Sequence, residues 1–193
     1  MKEIITIWSL LLLAACSTSP QAQNKAAGKQ AVTAGQAPEV ADDAQEEHGQ
    51  AFSRKVINRN IYTVKVLSAT VFLERKGENI APEDREGLAH EIVALLEIQA
   101  PDAKRDFFES PGLALSKEDG LQYLVGGIGS DITLVQGTKE FYPSGVSFER
   151  VPGMQHKIRV LLFFSGVDLT QKMKISYYDR LMGSGIINFG INN

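Results

Sequence analysis

The sequence predicts a mainly β fold for residues 53–193, and three segments near the C-terminus carry that prediction. Residues 157–164 are apolar on one face and largely apolar on the other, which is typical of a central strand covered on both sides. Residues 172–177 and 187–191 instead alternate strictly between apolar and polar or small residues. We expect the following side chains to face the core: Ile158, Val160, Leu162, Phe164, Met173, Ile175, Tyr177, Ile187, Phe189 and Ile191.

Further strands are predicted earlier in the chain. Residues 62–73 alternate, but their apolar face changes phase near Leu67, which predicts a bulge or a change of sheet within one long strand. Two shorter strands, Ile132–Val135 and Val146–Phe148, flank segments rich in turn-forming residues.

Residues 88–99 fit two periods. A helix would gather Leu88 and Ile92 on one side, whereas a strand would turn Ile92, Leu96 and Ile98 inward. Local propensity slightly favours the helix, and neither length nor β-branching decides between the two.

The C-terminal part resembles the immunoglobulin-like extracellular domains of bacterial lipoproteins, which have a telokin-like fold. The segments that carry the resemblance are Asp131–Val135 with Lys139–Gly145, Arg159–Phe164, and Lys174–Asp179 with Gly185–Phe189. The resemblance implies an immunoglobulin-like antiparallel β-sandwich without a built-in catalytic site, allows for one short helix, and favours a strand at 88–99. Residues 100–125 depart from the family pattern.

The N-terminus predicts export. The apolar run Ile4–Leu13 is too short to span a bilayer but long enough for a signal peptide. It ends in Leu13-Ala14-Ala15-Cys16, which resembles the bacterial lipobox. That resemblance implies a signal peptide over residues 1–15 and lipidation of Cys16. In inner-membrane lipoproteins an Asp follows the cysteine, whereas this chain has Ser17 there. The resemblance therefore favours anchoring in the outer membrane, with the protein facing either the periplasm or the exterior.

Composition restricts the remaining possibilities. Residues 16–52 are rich in Gln, Ala, Ser, Thr and Gly, which predicts a disordered tether, and the lipobox resemblance implies that its first residue, Cys16, is lipidated. The acidic cluster at 42–47 is expected to be a solvated charge run. A net charge of −3 is too balanced for a nucleic-acid-binding surface. Cys16 is the only cysteine, so an acylated chain has no thiol left for a disulfide or a metal.

No segment predicts a catalytic, metal or cofactor site. Residues 126–131 are glycine-rich, but they lead into an apparent strand without the helix and lysine of a phosphate loop, so we expect a flexible turn or bulge. His90 and His156 lack the i,i+4 spacing of a local zinc pair, and His48 lies in the tether. The acidic stretch of Asp102, Asp106 and Glu109 lacks calcium-loop spacing.

Phe107 and Phe108 are the candidate partner-binding residues. Two adjacent aromatic side chains on an extended backbone point to opposite sides. We therefore expect one ring to fill the end of the sandwich and the other to be partly exposed; the alternative is a docking tip, in which exposed aromatic rings anchor a partner.

These observations favour a non-catalytic, lipid-anchored outer-membrane protein that binds a protein partner in the envelope or outside the cell. The first alternative is an accessory lipoprotein that anchors or assembles a secretion or envelope machine. The second is an envelope-polymer hydrolase that uses carboxylates with His90 or His156.

Overall fold

The computed structural model describes residues 46–47, 50–150 and 152–192, which fold mainly into antiparallel strands. The strands are β1 (Glu46–Glu47), β2 (Gln50–Ile57), β3 (Asn60–Ser68), β4 (Glu91–Gln99), β5 (Ile132–Gln136), β6 (Lys139–Phe141), β7 (Gly145–Arg150), β8 (Lys157–Ser165), β9 (Met173–Asp179) and β10 (Gly185–Ile191). The α-helices are α1 (Ala69–Arg75), α2 (Pro82–Gly87) and α3 (Lys117–Gln122).

The strands form two sheets with the strand order of an immunoglobulin sandwich. The first sheet has the order β1-β2-β3-β4-β8-β7, and the second has the order β10-β9-β5-β6. In immunoglobulin lettering, the strands from β3 to β10 are A, B, C, C′, D, E, F and G in chain order. The two sheets then contain the orders A-B-E-D and G-F-C-C′, which is the immunoglobulin arrangement with strand C′ (β6) added. The predicted mainly β sandwich is confirmed, and β1 and β2 extend its first sheet beyond strand A.

The predicted inward faces form the core between the sheets. Every residue that the alternation assigned to the core in β8, β9 and β10 is at most 4% exposed. Strand β8 pairs with β4 along one edge and with β7 along the other. It is therefore a central strand, as its two apolar faces predicted. Turns with positive φ at Gly137 (60°) and Gly183 (66°) lie in the connections β5–β6 and β9–β10, where glycine adopts this conformation without strain.

Residues 88–99 resolve as a strand preceded by a helix. Helix α2 begins with Pro82 at its first turn and ends at Gly87, and β4 then runs from Glu91 to Gln99. Ile92, Leu96 and Ile98 are at most 1% exposed, as the strand alternative predicted. The pattern was ambiguous because β4 is central, so that Val93 on its other face is also buried.

The predicted long strand over residues 62–73 is wrong beyond Ser68. Strand β3 ends there, and the phase change at Leu67 marks the start of helix α1. The Ser68 hydroxyl accepts a hydrogen bond from the Val71 N–H at 3.2 Å, which caps the helix. Helix α1 lies against the outer face of the first sheet, where Phe72 meets Phe163 edge to face at 6.3 Å. The sequence allowed for one short helix, whereas the described residues contain three α-helices.

The glycine-rich segment 126–131 is helical, so the predicted flexible turn is also wrong. Helix α3 continues into a π-helical turn, Tyr123–Gly127, and a 3₁₀ turn, Ile128–Asp131, before β5 begins. The glycines permit close packing instead of flexibility. A Cβ at Gly127 would lie 2.9 Å from the Tyr123 ring, and one at Gly129 would lie 2.9 Å from Val146.

A Gly127→Ala substitution should lower the free energy of unfolding by about 1–2 kcal/mol, because its methyl group would displace the Tyr123 ring. Gly126→Ala is the matched control. A Cβ at Gly126 meets nothing within 4 Å, so alanine should be neutral or stabilise by up to about 1 kcal/mol. Urea unfolding followed by circular dichroism measures both. Equal effects at the two positions would contradict the packing role of Gly127.

The β structure begins N-terminal to the predicted domain start at residue 53. Strand β2 starts at Gln50, and Glu46–Glu47 pair with Gln50 and Ala51. Cys16, the signal segment and most of the predicted tether lie outside the described residues. Within the described part of the chain, no helix is long and apolar enough to cross a membrane.

Candidate binding site

The sandwich has two ends, which strand β2 connects. At the upper end β2 begins, at Gln50; at the lower end it enters the β2–β3 turn, where Asn58 and Arg59 adopt positive φ. Across the register, Ile61 pairs with Gln99 and Gln99 with Lys157, so the end of β4 and the start of β8 also lie at the lower end. The eight residues of β2 separate the two ends by about 25 Å.

Two loops close the lower end of the sandwich. One follows β4 and contains Phe107 and Phe108, and the other precedes β8. The Ala100 N–H donates to the His156 carbonyl and the Phe107 N–H donates to the Gln155 carbonyl, both at 2.9 Å. These backbone hydrogen bonds fix the two loops against each other.

Phe107 and Phe108 are both buried, at 1% and 8% exposure, so neither is the exposed aromatic anchor that the sequence predicted. The expectation assumed an extended backbone, but Phe107–Glu109 form a 3₁₀ turn. The Asp106 carboxylate caps this turn by accepting the Phe108 N–H at 2.9 Å. The helical backbone lets both rings point inward, where they pack edge to face at 5.5 Å.

A cavity of about 250 Å³ lies between these two loops. Phe107, Phe108 and Ile158 supply buried apolar lining, and Met154, 43% exposed, lies at its opening. The predicted pair of aromatics therefore lines a concave site instead of projecting from the surface.

Charged side chains surround the cavity. The Arg150 guanidinium stacks over the Phe108 ring at 5.5 Å, and its Nη1 lies 3.6 Å from Oδ2 of Asp106. Lys157 also lines the cavity, and its ammonium group forms no ion pair with another described residue. The site thus combines an apolar floor with a net positive charge.

A cluster of buried hydroxyl groups around Asp179 joins the two sheets. Asp179 is 1% exposed and accepts hydrogen bonds from Tyr62 at 2.7 Å and Tyr177 at 3.2 Å. Its carboxylate also accepts the Met182 N–H at 3.1 Å and the Ser184 N–H at 3.4 Å, which orders the β9–β10 turn. Because Tyr62 belongs to β3 and Asp179 to β9, this carboxylate connects one sheet to the other.

Burial keeps the tyrosines of this region protonated. Desolvation, followed by the charge of Asp179, raises the pKa of Tyr62 and of Tyr177 well above 10. Desolvation, followed by the nearby carboxylate of Asp131, raises the pKa of Tyr123 in the same direction. Asp131 in turn forms an ion pair with Arg180, whose Nε lies 2.7 Å from its carboxylate. We interpret this cluster as structural because neither it nor its tyrosines line a described cavity.

The two histidines of the described residues lie far apart. His90 is exposed at the upper end, where its carbonyl accepts the Gly166 N–H at 2.8 Å. His156 precedes β8 at the lower end. One site therefore cannot contain both side chains, and His48 lies outside the described residues.

The acidic stretch has other roles. Asp106 caps the 3₁₀ turn, and Asp102 lies 3.7 Å from Arg105. Among the described residues, no group of three or more His, Cys, Asp or Glu side chains could hold a metal ion.

Comparison of the chain with protein-family models, curated proteins and solved structures returns no match. The assignment of function therefore depends on the sequence motifs and on the geometry of the lower end.

Arg150, Met154 and Lys157 were missed as candidate site residues by sequence reasoning. They lie more than 40 positions from Phe107 and Phe108, and only the pairing of β4 with β8 brings the two loops together. The one available signal was that residues 100–125 depart from the family pattern, since an unusual loop often carries the function of a common fold.

Proposed function

We propose that this protein is a non-catalytic lipoprotein of the outer membrane, anchored through Cys16, whose immunoglobulin-like sandwich binds a protein partner at its lower end. The cavity over Phe107 and Phe108 supports the proposal most strongly. It is apolar at its floor and charged at its rim, the combination found in protein recognition sites.

The position of β2 supports the same assignment. The described chain enters the first sheet through β1, which pairs with the start of β2 at the upper end, whereas the cavity lies at the lower end. A protein anchored upstream of β2 would present the cavity on the side away from its attachment.

Site-specific photo-crosslinking tests this function. A photoreactive amino acid at Met154, on the cavity rim, should capture a partner protein in intact cells. The same amino acid at Tyr142, which is 63% exposed near the upper end, is the matched control and should capture little. A Cys16→Ser variant should lose both acyl labelling and the position 154 crosslink, because it removes the proposed anchor.

Capture from position 142 but not 154, or equal capture from both, would contradict binding at the lower end. The captured protein would also distinguish the two binding roles. A component of an envelope complex would favour the assembly alternative, and an extracellular protein would favour external binding.

A further inference from the structure

The cavity at the lower end has the dimensions of one large side chain. Its volume of about 250 Å³ is below that of most pockets for small organic ligands, which span about 300–1,000 Å³. The rings of Phe107 and Phe108 and the side chain of Ile158 make its floor apolar. A single apolar residue of a partner therefore fits it better than a polar metabolite does.

The charges at the rim indicate what accompanies that residue. The Asp106 carboxylate already has two partners, since it accepts the Phe108 N–H at 2.9 Å and faces Arg150 at 3.6 Å. The Lys157 ammonium group has no anionic partner among the described residues. The cavity rim therefore has one uncompensated positive charge next to an apolar floor.

The C-terminal residue of a protein supplies an apolar side chain and a carboxylate on the same Cα atom. Capture of a terminal carboxylate is a recurring mode of peptide recognition. We propose that the cavity binds the C-terminal residue of the partner, with its apolar side chain against Phe108 and Met154 and its α-carboxylate at Lys157; this inference rests on the proposed function.

N-acetyl-L-phenylalanine and its C-terminal amide are suitable probes, because they differ only in the terminal charge. Both can be titrated into the ¹⁵N-labelled full chain while backbone amide shifts are followed by NMR. We expect the acid to shift the amides of residues 106–108 and 152–158, with a dissociation constant on the order of millimolar, as a ligand of this size allows. The amide should bind about threefold more weakly, since a solvent-exposed ion pair contributes less than about 1 kcal/mol.

A Lys157→Gln substitution should remove the preference for the acid and leave the affinity for the amide unchanged. Lys139→Gln, which removes a lysine at the upper end, is the matched control and should keep the preference. The inference is overturned if wild-type protein binds acid and amide equally, if neither probe shifts the cavity amides, or if Lys157→Gln retains the preference.

The probe titration and the crosslinking experiment distinguish failure of this inference from failure of the proposed function. Crosslinking from position 154 that captures a partner while the probes fail would leave the binding function in place and reject only the C-terminal ligand. Failure of both experiments would reject the lower end as a binding site.

Discussion

Replacing Asp179 with alanine should lower the free energy of unfolding by about 3–5 kcal/mol. The substitution leaves the Tyr177 hydroxyl and two backbone N–H groups without their acceptor, whereas the Tyr62 hydroxyl keeps the Ser184 hydroxyl, at 3.1 Å, as a partner. Each buried donor left unsatisfied costs about 1–3 kcal/mol, and relaxation of the β9–β10 turn would recover part of that sum. Urea unfolding followed by circular dichroism measures the loss.

Two control variants test whether the loss of stability comes from the buried carboxylate of Asp179. Tyr62→Phe removes one donor and leaves the other three, so it should cost about 1–2 kcal/mol. Asp168→Ala removes a carboxylate that also accepts hydrogen bonds, from Thr170 and Gln171, but these bonds are exposed to solvent, so we expect a much smaller loss. If Asp179→Ala cost no more than Asp168→Ala, Asp179 would not be the connection between the sheets.

Alkaline pH should destabilise the domain steeply. Burial raises the pKa of Tyr62 and Tyr177 in the folded protein well above 10, whereas unfolding restores values near 10. The unfolded chain therefore releases protons that the folded chain retains, and stability, complete below about pH 10, falls as the pH rises. These two tyrosines together should remove about 2 kcal/mol between pH 10 and pH 11, and Tyr123 acts in the same direction.

Urea unfolding at pH 9, 10 and 11 gives this dependence, and tyrosinate absorbance should rise together with the loss of β structure. Tyr62→Phe is the comparison variant, because it removes one of the two buried hydroxyls and should therefore make the dependence of stability on pH shallower. A free energy of unfolding that stayed constant from pH 9 to pH 11 would contradict the protonated tyrosine cluster.

The strands of the sandwich could be predicted because their burial follows the period of the backbone. In β9 and β10 one face is buried and the other is exposed, and the sequence shows the same alternation. Prediction failed where a local hydrogen bond ended an apparently continuous pattern. The Ser68 hydroxyl starts helix α1 within a run of β-branched and apolar residues, and the period alone cannot distinguish such a cap from a bulge.

The candidate site was predictable only in part. Phe107 and Phe108 are conspicuous in the sequence, but whether they are exposed depends on the 3₁₀ turn that Asp106 caps. No sequence motif marks Lys157 as a site residue, because its position at the cavity follows from the register of β4 with β8. Asp179 similarly is the last residue of an ordinary alternating strand, and only the packing of the two sheets places the Tyr62 hydroxyl against it.

The entry of β2 at the end opposite the cavity also has a mechanical consequence. If the chain is held upstream of Gln50 and a partner pulls at the lower end, the tension runs parallel to the strands. The hydrogen bonds that join β2 to β3 and β3 to β4 then bear the load together in shear, because no single pair can open first. Resistance to such a pull depends on the rate of unfolding under load, so a sandwich held and pulled in this way would withstand traction along its strands.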